Sequence, residues 1–86
     1  MNVYPVLLCG EKEIKGPSSY SGPIEVIIDE LHVVAVFYID AGSYIVGDVK
    51  KEGNKISFRL YTAPGQEVAS GTDLSNITIR IYYCGK

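Results

Sequence analysis

Apolar and polar positions along the chain follow the period of strands rather than helices. Residues 31–39, Leu-His-Val-Val-Ala-Val-Phe-Tyr-Ile, are apolar at every odd position and at most even ones. A strand with one wet face alternates apolar and polar, so a run apolar on both faces predicts burial on both sides. Its β-branched and aromatic content favours strand over helix. This stretch is expected to be the central strand, with Phe37 nearly fully buried.

The other segments fall around it. Residues 2–9 predict a first strand, at an edge or bulged at Pro5, which has no N–H to give to a ladder. Residues 10–23 read as a long connection, charged from Glu11 to Lys15 and rich in Gly, Pro and Ser from Gly16 to Pro23. Residues 24–28 predict a second strand with Ile24, Val26 and Ile28 inward, and Asp29-Glu30 a turn. Asp40 to Ser43 form the next turn, followed by a strand over residues 44–49. Gly53-Asn54 suits a hairpin needing positive φ. Residues 55–62 alternate cleanly, with Ile56, Phe58 and Leu60 inward and Ser57, Arg59 and Tyr61 outward. Ala63-Pro64-Gly65-Gln66 fits a type II turn. A short strand at residues 67–69 and a last one over 76–84, with Ile77, Ile79, Ile81 and Tyr83 inward, complete an all-β, small antiparallel sandwich or barrel of 6–7 strands. Residues 56–61 and 77–82 share an apolar/hydroxyl/apolar/Arg/apolar/Tyr pattern, which two half-buried strands can reach independently.

Composition narrows the picture. The 86 residues suffice for one domain, and a chain this short buries only roughly 60% of its unfolded surface. A formal net charge of −2 gives no electrostatic footprint for nucleic acid or an anionic membrane. No apolar run is long enough to cross a bilayer, and the N-terminus lacks the pattern of a signal peptide. Cys9 and Cys84 lie near opposite chain ends. With no export signal they are expected to be free thiols, although a bridge would close a very long loop.

Candidate chemistry is sparse. His32 is the lone histidine, with no second ligand or nucleophile at suggestive spacing. Asp29, Glu30, Asp40, Asp48 and Asp73 fall in turns or at strand ends, where Asp caps the backbone, and form no calcium loop. Asn76-Ile77-Thr78 meets the glycosylation rule through ordinary strand composition. No catalytic site, metal or cofactor is expected. The surface pattern says more: Arg59 and Tyr61 share one outward face, Arg80 and Tyr82 another, and Tyr20 stands alone in the Gly/Pro/Ser loop. These five residues are the candidate interface, since Arg and Tyr are enriched where proteins meet and Tyr where sugars stack.

A clean strand ending in a turn, then Glu67-Val68-Ala69-Ser70-Gly71-Thr72-Asp73-Leu74-Ser75, then a strand to Lys86, resembles small β-modules of tailed-phage virion proteins. The resemblance covers residues 56–86 and is carried mainly by the Ser-Gly-Thr-Asp-Leu-Ser stretch. It implies a non-enzymatic role as a capsid- or tail-associated decoration or fibre-type module, assembled in the host cytoplasm and often a symmetric oligomer. The partners implied are other virion proteins and copies of itself. The alternative from the outward Tyr residues is a carbohydrate- or receptor-binding module.

Overall fold

The computed structural model describes residues 7–86. Among these residues seven strands follow one another with no helix: β1 (Leu8–Lys15), β2 (Ile24–Ile27), β3 (Val34–Asp40), β4 (Ile45–Glu52), β5 (Lys55–Ala63), β6 (Gln66–Glu67) and β7 (Thr78–Gly85). They form two antiparallel sheets. One has the order β1-β7-β3; the other has the order β2-β5-β4, with β6 also paired to β5. The inward residues of both sheets share one core, in which Ile56, Phe58 and Leu60 of β5 lie among Ile79, Ile81 and Tyr83 of β7. This is a small β-sandwich, and its two middle strands are the ones that alternate most cleanly.

The expected centre is therefore displaced. Residues 31–39 are not a strand buried on both sides. Their regular part, β3, is the edge of the three-stranded sheet, and β7 occupies the middle. Ahead of the bulge Val34 is fully buried, but after it Val36 and Tyr38 face solvent, 58% and 67% exposed, because among the described residues no layer covers the outside of this sheet. Phe37 points inward, but from the edge it is only half-buried. A bulge at Ala35 lets Val34 and Val36 pair with the consecutive residues Gly85 and Cys84. Two-sided apolarity thus marks an apolar surface, not a covered strand.

The first strand is also displaced. Of the expected strand over residues 2–9, residues 2–6 and Pro5 with them lie outside the described residues. The observed β1 runs through the charged stretch expected to be loop, because Glu11, Glu13 and Lys15 take the outer face while Gly10, Lys12 and Ile14 take the inner. The remaining turns follow their residues. Gly65 has φ 77°, as position i+2 of a type II turn demands, and Gly53 has φ 61° at the first central position of the β4–β5 hairpin.

Each open side of the sandwich is closed by an inward lysine. Lys12 of β1 donates from Nζ to the Ile27 carbonyl on β2 at 2.8 Å. On the other side, Lys51 of β4 donates to the Val34 carbonyl on β3 at 2.6 Å. The long stems pack along the inner edge while the ammonium groups satisfy the Ile27 and Val34 carbonyls, which no strand pairs.

If β7 is the core strand and β3 an edge, truncations should separate them. Ile81→Ala is expected to cost about 2–5 kcal/mol through an unfilled cavity. Val36→Ala, on the uncovered face, should change stability by no more than about 0.5 kcal/mol. Urea titrations of both variants check this.

Candidate functional site

Tyr20, expected to await a partner in a loose loop, is instead an internal anchor. Its side chain is 1% exposed and belongs to the core. The phenol donates to Glu67 Oε2 at 2.6 Å and accepts the Leu60 N–H at 3.2 Å. The backbone on either side is equally engaged: Tyr20 N–H donates to the Thr72 carbonyl, and Gly71 N–H to the Tyr20 carbonyl, at 2.8 and 2.7 Å. Leu74 N–H donates to the Pro17 carbonyl and Gly16 N–H to the Ile77 carbonyl. The Gly/Pro/Ser loop is therefore stitched to the 71–77 segment and closes one end of the sandwich. Gly16 N–H, the Pro17 carbonyl and both backbone groups of Tyr20 thus find partners inside the chain.

The Ser70 to Ser75 stretch is the other half of that closure. Leu74 is fully buried. Thr72 Oγ1 donates to the Ala69 carbonyl at 2.6 Å. Asp73 Oδ1 accepts both the backbone N–H and the hydroxyl of Ser75. Those hydrogen bonds hold the Asp73 carboxyl below its ordinary value, the hydroxyl contributing most. Thr72, Asp73 and Ser75 thus each have a local structural task.

Arg59 is also bound internally. Its guanidinium donates from Nη1 to Glu67 Oε2 at 2.9 Å and from Nε to Asp48 Oδ2 at 3.2 Å. One carboxylate oxygen thus joins Tyr20 and Arg59. The Tyr20 hydroxyl first, then Arg59, holds the Glu67 carboxyl below its ordinary value. Burial first, then the bond to Glu67, raises the Tyr20 phenol above its own. Asp48 has φ 50° within the irregular stretch of β4 that lies between Gly47 and Lys50. Tyr61 lies across Gly47, where a Cβ would come within 2.7 Å of its ring. Glycine there lets the ring cover the β4 backbone.

The five candidate residues do not form one surface. Arg59 and Tyr61 face outward from the β2-β5-β4 sheet, whereas Arg80 and Tyr82 face outward from the β1-β7-β3 sheet, on the opposite side of the sandwich. The first of these faces is mostly charged, carrying Glu25, Lys50, Glu52 and Lys55 beside Arg59, with Ile27 and Ile45 exposed among them. The second is different. Three rows of directly opposed residues cross it: Cys9, Cys84 and Val36; then Glu11, Tyr82 and Tyr38; then Glu13, Arg80 and Asp40. It grades from an apolar row, through amphipathic rings, to charge. The Tyr38 and Tyr82 rings lie 6.4 Å apart, centroid to centroid. A shallow, mostly apolar depression runs between Val36, Tyr38, Tyr82 and the cysteines.

Cys9 and Cys84 are not free thiols. They are opposed in the β1–β7 ladder, with Cα atoms 4.0 Å apart, and form a disulfide. Distance along the chain concealed this, because β1 and β7 are adjacent only in the folded sheet. Val36, Tyr38 and the bridge are the members of this face that residue-by-residue reading missed. Their signal was the even-numbered apolar positions of the run, whose meaning depended on which strand was central.

His32 is exposed ahead of β3. Asp40 Oδ1 accepts the Gly42 N–H at 3.0 Å in its turn. Among the described residues, no group of three or more His, Cys, Asp or Glu is placed to hold a metal ion.

Two measurements check these local assignments. Tyr20→Phe is expected to cost about 1–3 kcal/mol, since the buried Leu60 N–H loses its acceptor. The pH dependence follows from the signs of the shifts. Glu67 and Asp73 are depressed in the fold, so their stabilisation is present above the unfolded carboxyl pKa and lost as pH falls through the folded values. Tyr20 is raised, so its contribution is present below the unfolded phenol pKa and lost as pH rises through the folded one. Urea midpoints against pH should show both limbs, with Glu67→Gln/Asp73→Asn flattening the acid limb and Tyr20→Phe the alkaline one. For the disulfide, alkylation of the unfolded, unreduced chain should label no thiol, and Cys9→Ser/Cys84→Ser should lose about 4 kcal/mol by the loop-closure argument.

Compared with family models, curated proteins and solved structures, the chain matches none of them.

Proposed function

We propose that this domain is a non-enzymatic assembly module of a tailed-phage virion that docks through the outer face of its β1-β7-β3 sheet. The observation that carries the docking part is the exposure of Val36, Tyr38 and Tyr82 beside the Cys9–Cys84 bridge. An apolar sheet face that the described residues leave uncovered lowers its free energy by meeting another surface. Tyr rings lose little rotamer entropy on contact, and the neighbouring Arg80, Glu13 and Asp40 supply a polar rim. The virion part rests on the likeness of residues 56–86 to phage β-modules. The disulfide suits a particle that leaves the reducing host cytosol, since such bridges persist in oxidising surroundings.

A second reading has its own support. Two exposed, neighbouring tyrosines on a sheet face also form a platform on which sugar rings stack, which fits a carbohydrate- or receptor-binding module.

The chain should be found by mass spectrometry in purified virions of the phage that encodes it, and added chain should co-sediment with particles lacking it. Tyr82→Ala should weaken that binding by about 2 kcal/mol while circular dichroism stays unchanged. Absence from purified virions overturns the proposal. An oligosaccharide bound on a glycan array, and lost with Tyr38→Ala or Tyr82→Ala, selects the second reading.

A further inference from the structure

Of the strands with an open side, all but β3 are charged, interrupted by Gly or Pro, or very short, and β3 carries only the bulge at Ala35. On β1, Glu11, Lys12, Glu13 and Lys15 alternate around Ile14. Strand β2 has only four residues and follows Pro23, and β6 has two. Strand β4 is irregular at Asp48 and ends Lys-Lys-Glu. Strand β3 alone runs Val-Ala-Val-Phe-Tyr-Ile with no charge, Pro or Gly before Asp40. A long, uncharged apolar edge of this kind is a template for another strand.

The ladder shows which backbone groups on that edge are open. Val33 and Lys86 exchange both hydrogen bonds, at 3.1 and 3.0 Å, so Lys86 directs its backbone toward the β3 side. Antiparallel alternation then turns Cys84, Tyr82 and Arg80 the same way, and with them the opposed Tyr38 and Asp40. Val34 faces the open edge, where its N–H donates to the Gly53 carbonyl and its carbonyl accepts Lys51. After the bulge, Phe37 and Ile39 face the open edge, and no turn or loop bond takes their N–H or carbonyl groups among the described residues.

We infer that this edge pairs with the β3 strand of a second copy, antiparallel, about a two-fold axis at Tyr38. In that register Phe37 lies opposite Ile39 of the second copy and Ile39 opposite its Phe37. The two residues with open backbone groups thereby satisfy each other, with two N–H and two carbonyl groups supplied by each chain. No other strand sequence is required, and a two-fold interface is self-complementary. Pairing also covers the inner side of Phe37, which its own chain leaves half-buried. On the outer face the two Tyr38 residues oppose one another in a non-hydrogen-bonded pair. They extend the Tyr38–Tyr82 contact into a four-tyrosine row across the joined sheet. The three-stranded sheet becomes a six-stranded one, with Asp40 at the rim beside Arg80 of its own chain. This deepens the docking reading by naming one partner, but its test needs no virion, so either can fail without the other.

Sedimentation equilibrium of the purified chain should give twice the 9.4 kDa mass. Like charges opposed at the axis repel, so Tyr38→Lys and Tyr38→Glu should each raise the dimer dissociation constant at least about tenfold. An equal mixture of the two should recover a heterodimer. Tyr38→Cys should form a covalent dimer on oxidation, because non-hydrogen-bonded partners sit about 4.5 Å apart. Glu25→Cys, exposed on the far sheet, should not. A parent that stays monomeric up to its solubility limit overturns the inference, as do charge variants that dimerise like the parent. A dimer in which Tyr38→Cys closes no faster than Glu25→Cys overturns the register.

Discussion

The buried phenol of Tyr20 is the contact from which one end of this sandwich hangs. A residue 1% exposed must find partners for its hydroxyl, and it finds two: a backbone N–H of the middle strand β5 and the carboxylate of Glu67. Because Glu67 also receives Arg59, the same carboxylate ties the loop before β2 to the outer face of β5. The backbone bonds between residues 16–20 and 71–77 then seal the gap between the sheets over Leu74. Without that ring in place, the two connecting segments would have to hold their backbone groups in water.

This gives a physical meaning to the Ser70 to Ser75 stretch. Gly71 at φ 89°, the Thr72 hydroxyl on the Ala69 carbonyl, the Asp73 cap on Ser75 and buried Leu74 are each requirements of the closure. A motif of this type reports how a small sandwich is shut rather than what it binds. Binding has to be sought on the surface that the closure leaves open, and that surface is the outer face of the β1-β7-β3 sheet.

That face and its edge follow from how few strands the chain has. Among the described residues seven strands form two layers, only β5 and β7 have neighbours on both sides, and no further layer covers either outer face. One outer face interleaves charge with exposed Ile27 and Ile45, with Lys55 and Glu25 3.8 Å apart and Arg59 held by two carboxylates. The other keeps Val36, Tyr38, Tyr82 and a disulfide. The cross-link restrains β1 against β7 at the apolar end of that face, so the rows that cross it are held in register. A rigid, partly apolar surface is better suited to docking than a mobile one, because less order is lost on contact.

How much of this was legible in the chain depends on whether the determining contacts are local. The alternation in residues 55–62 and 76–84 specified two half-buried strands, and both turned out to be the middle strands of their sheets. Pro64-Gly65 and Gly53-Asn54 specified their turns, because backbone dihedrals are set by the residue itself. Four findings depended on neighbours distant in sequence. Residues 31–39 read as buried on both sides, yet β7 took the centre and left Val36 and Tyr38 in solvent. Charged β1 read as loop, because pairing with β7 decides which of its charges face outward. Tyr20 read as free, because the Leu60 N–H and Glu67 that hold it are far along the chain. Cys9 and Cys84 read as unpaired thiols, because only the β1–β7 register sets them opposite one another. Periodicity reveals that a strand has two faces; which face is covered, and by what, is a property of the assembled sheets.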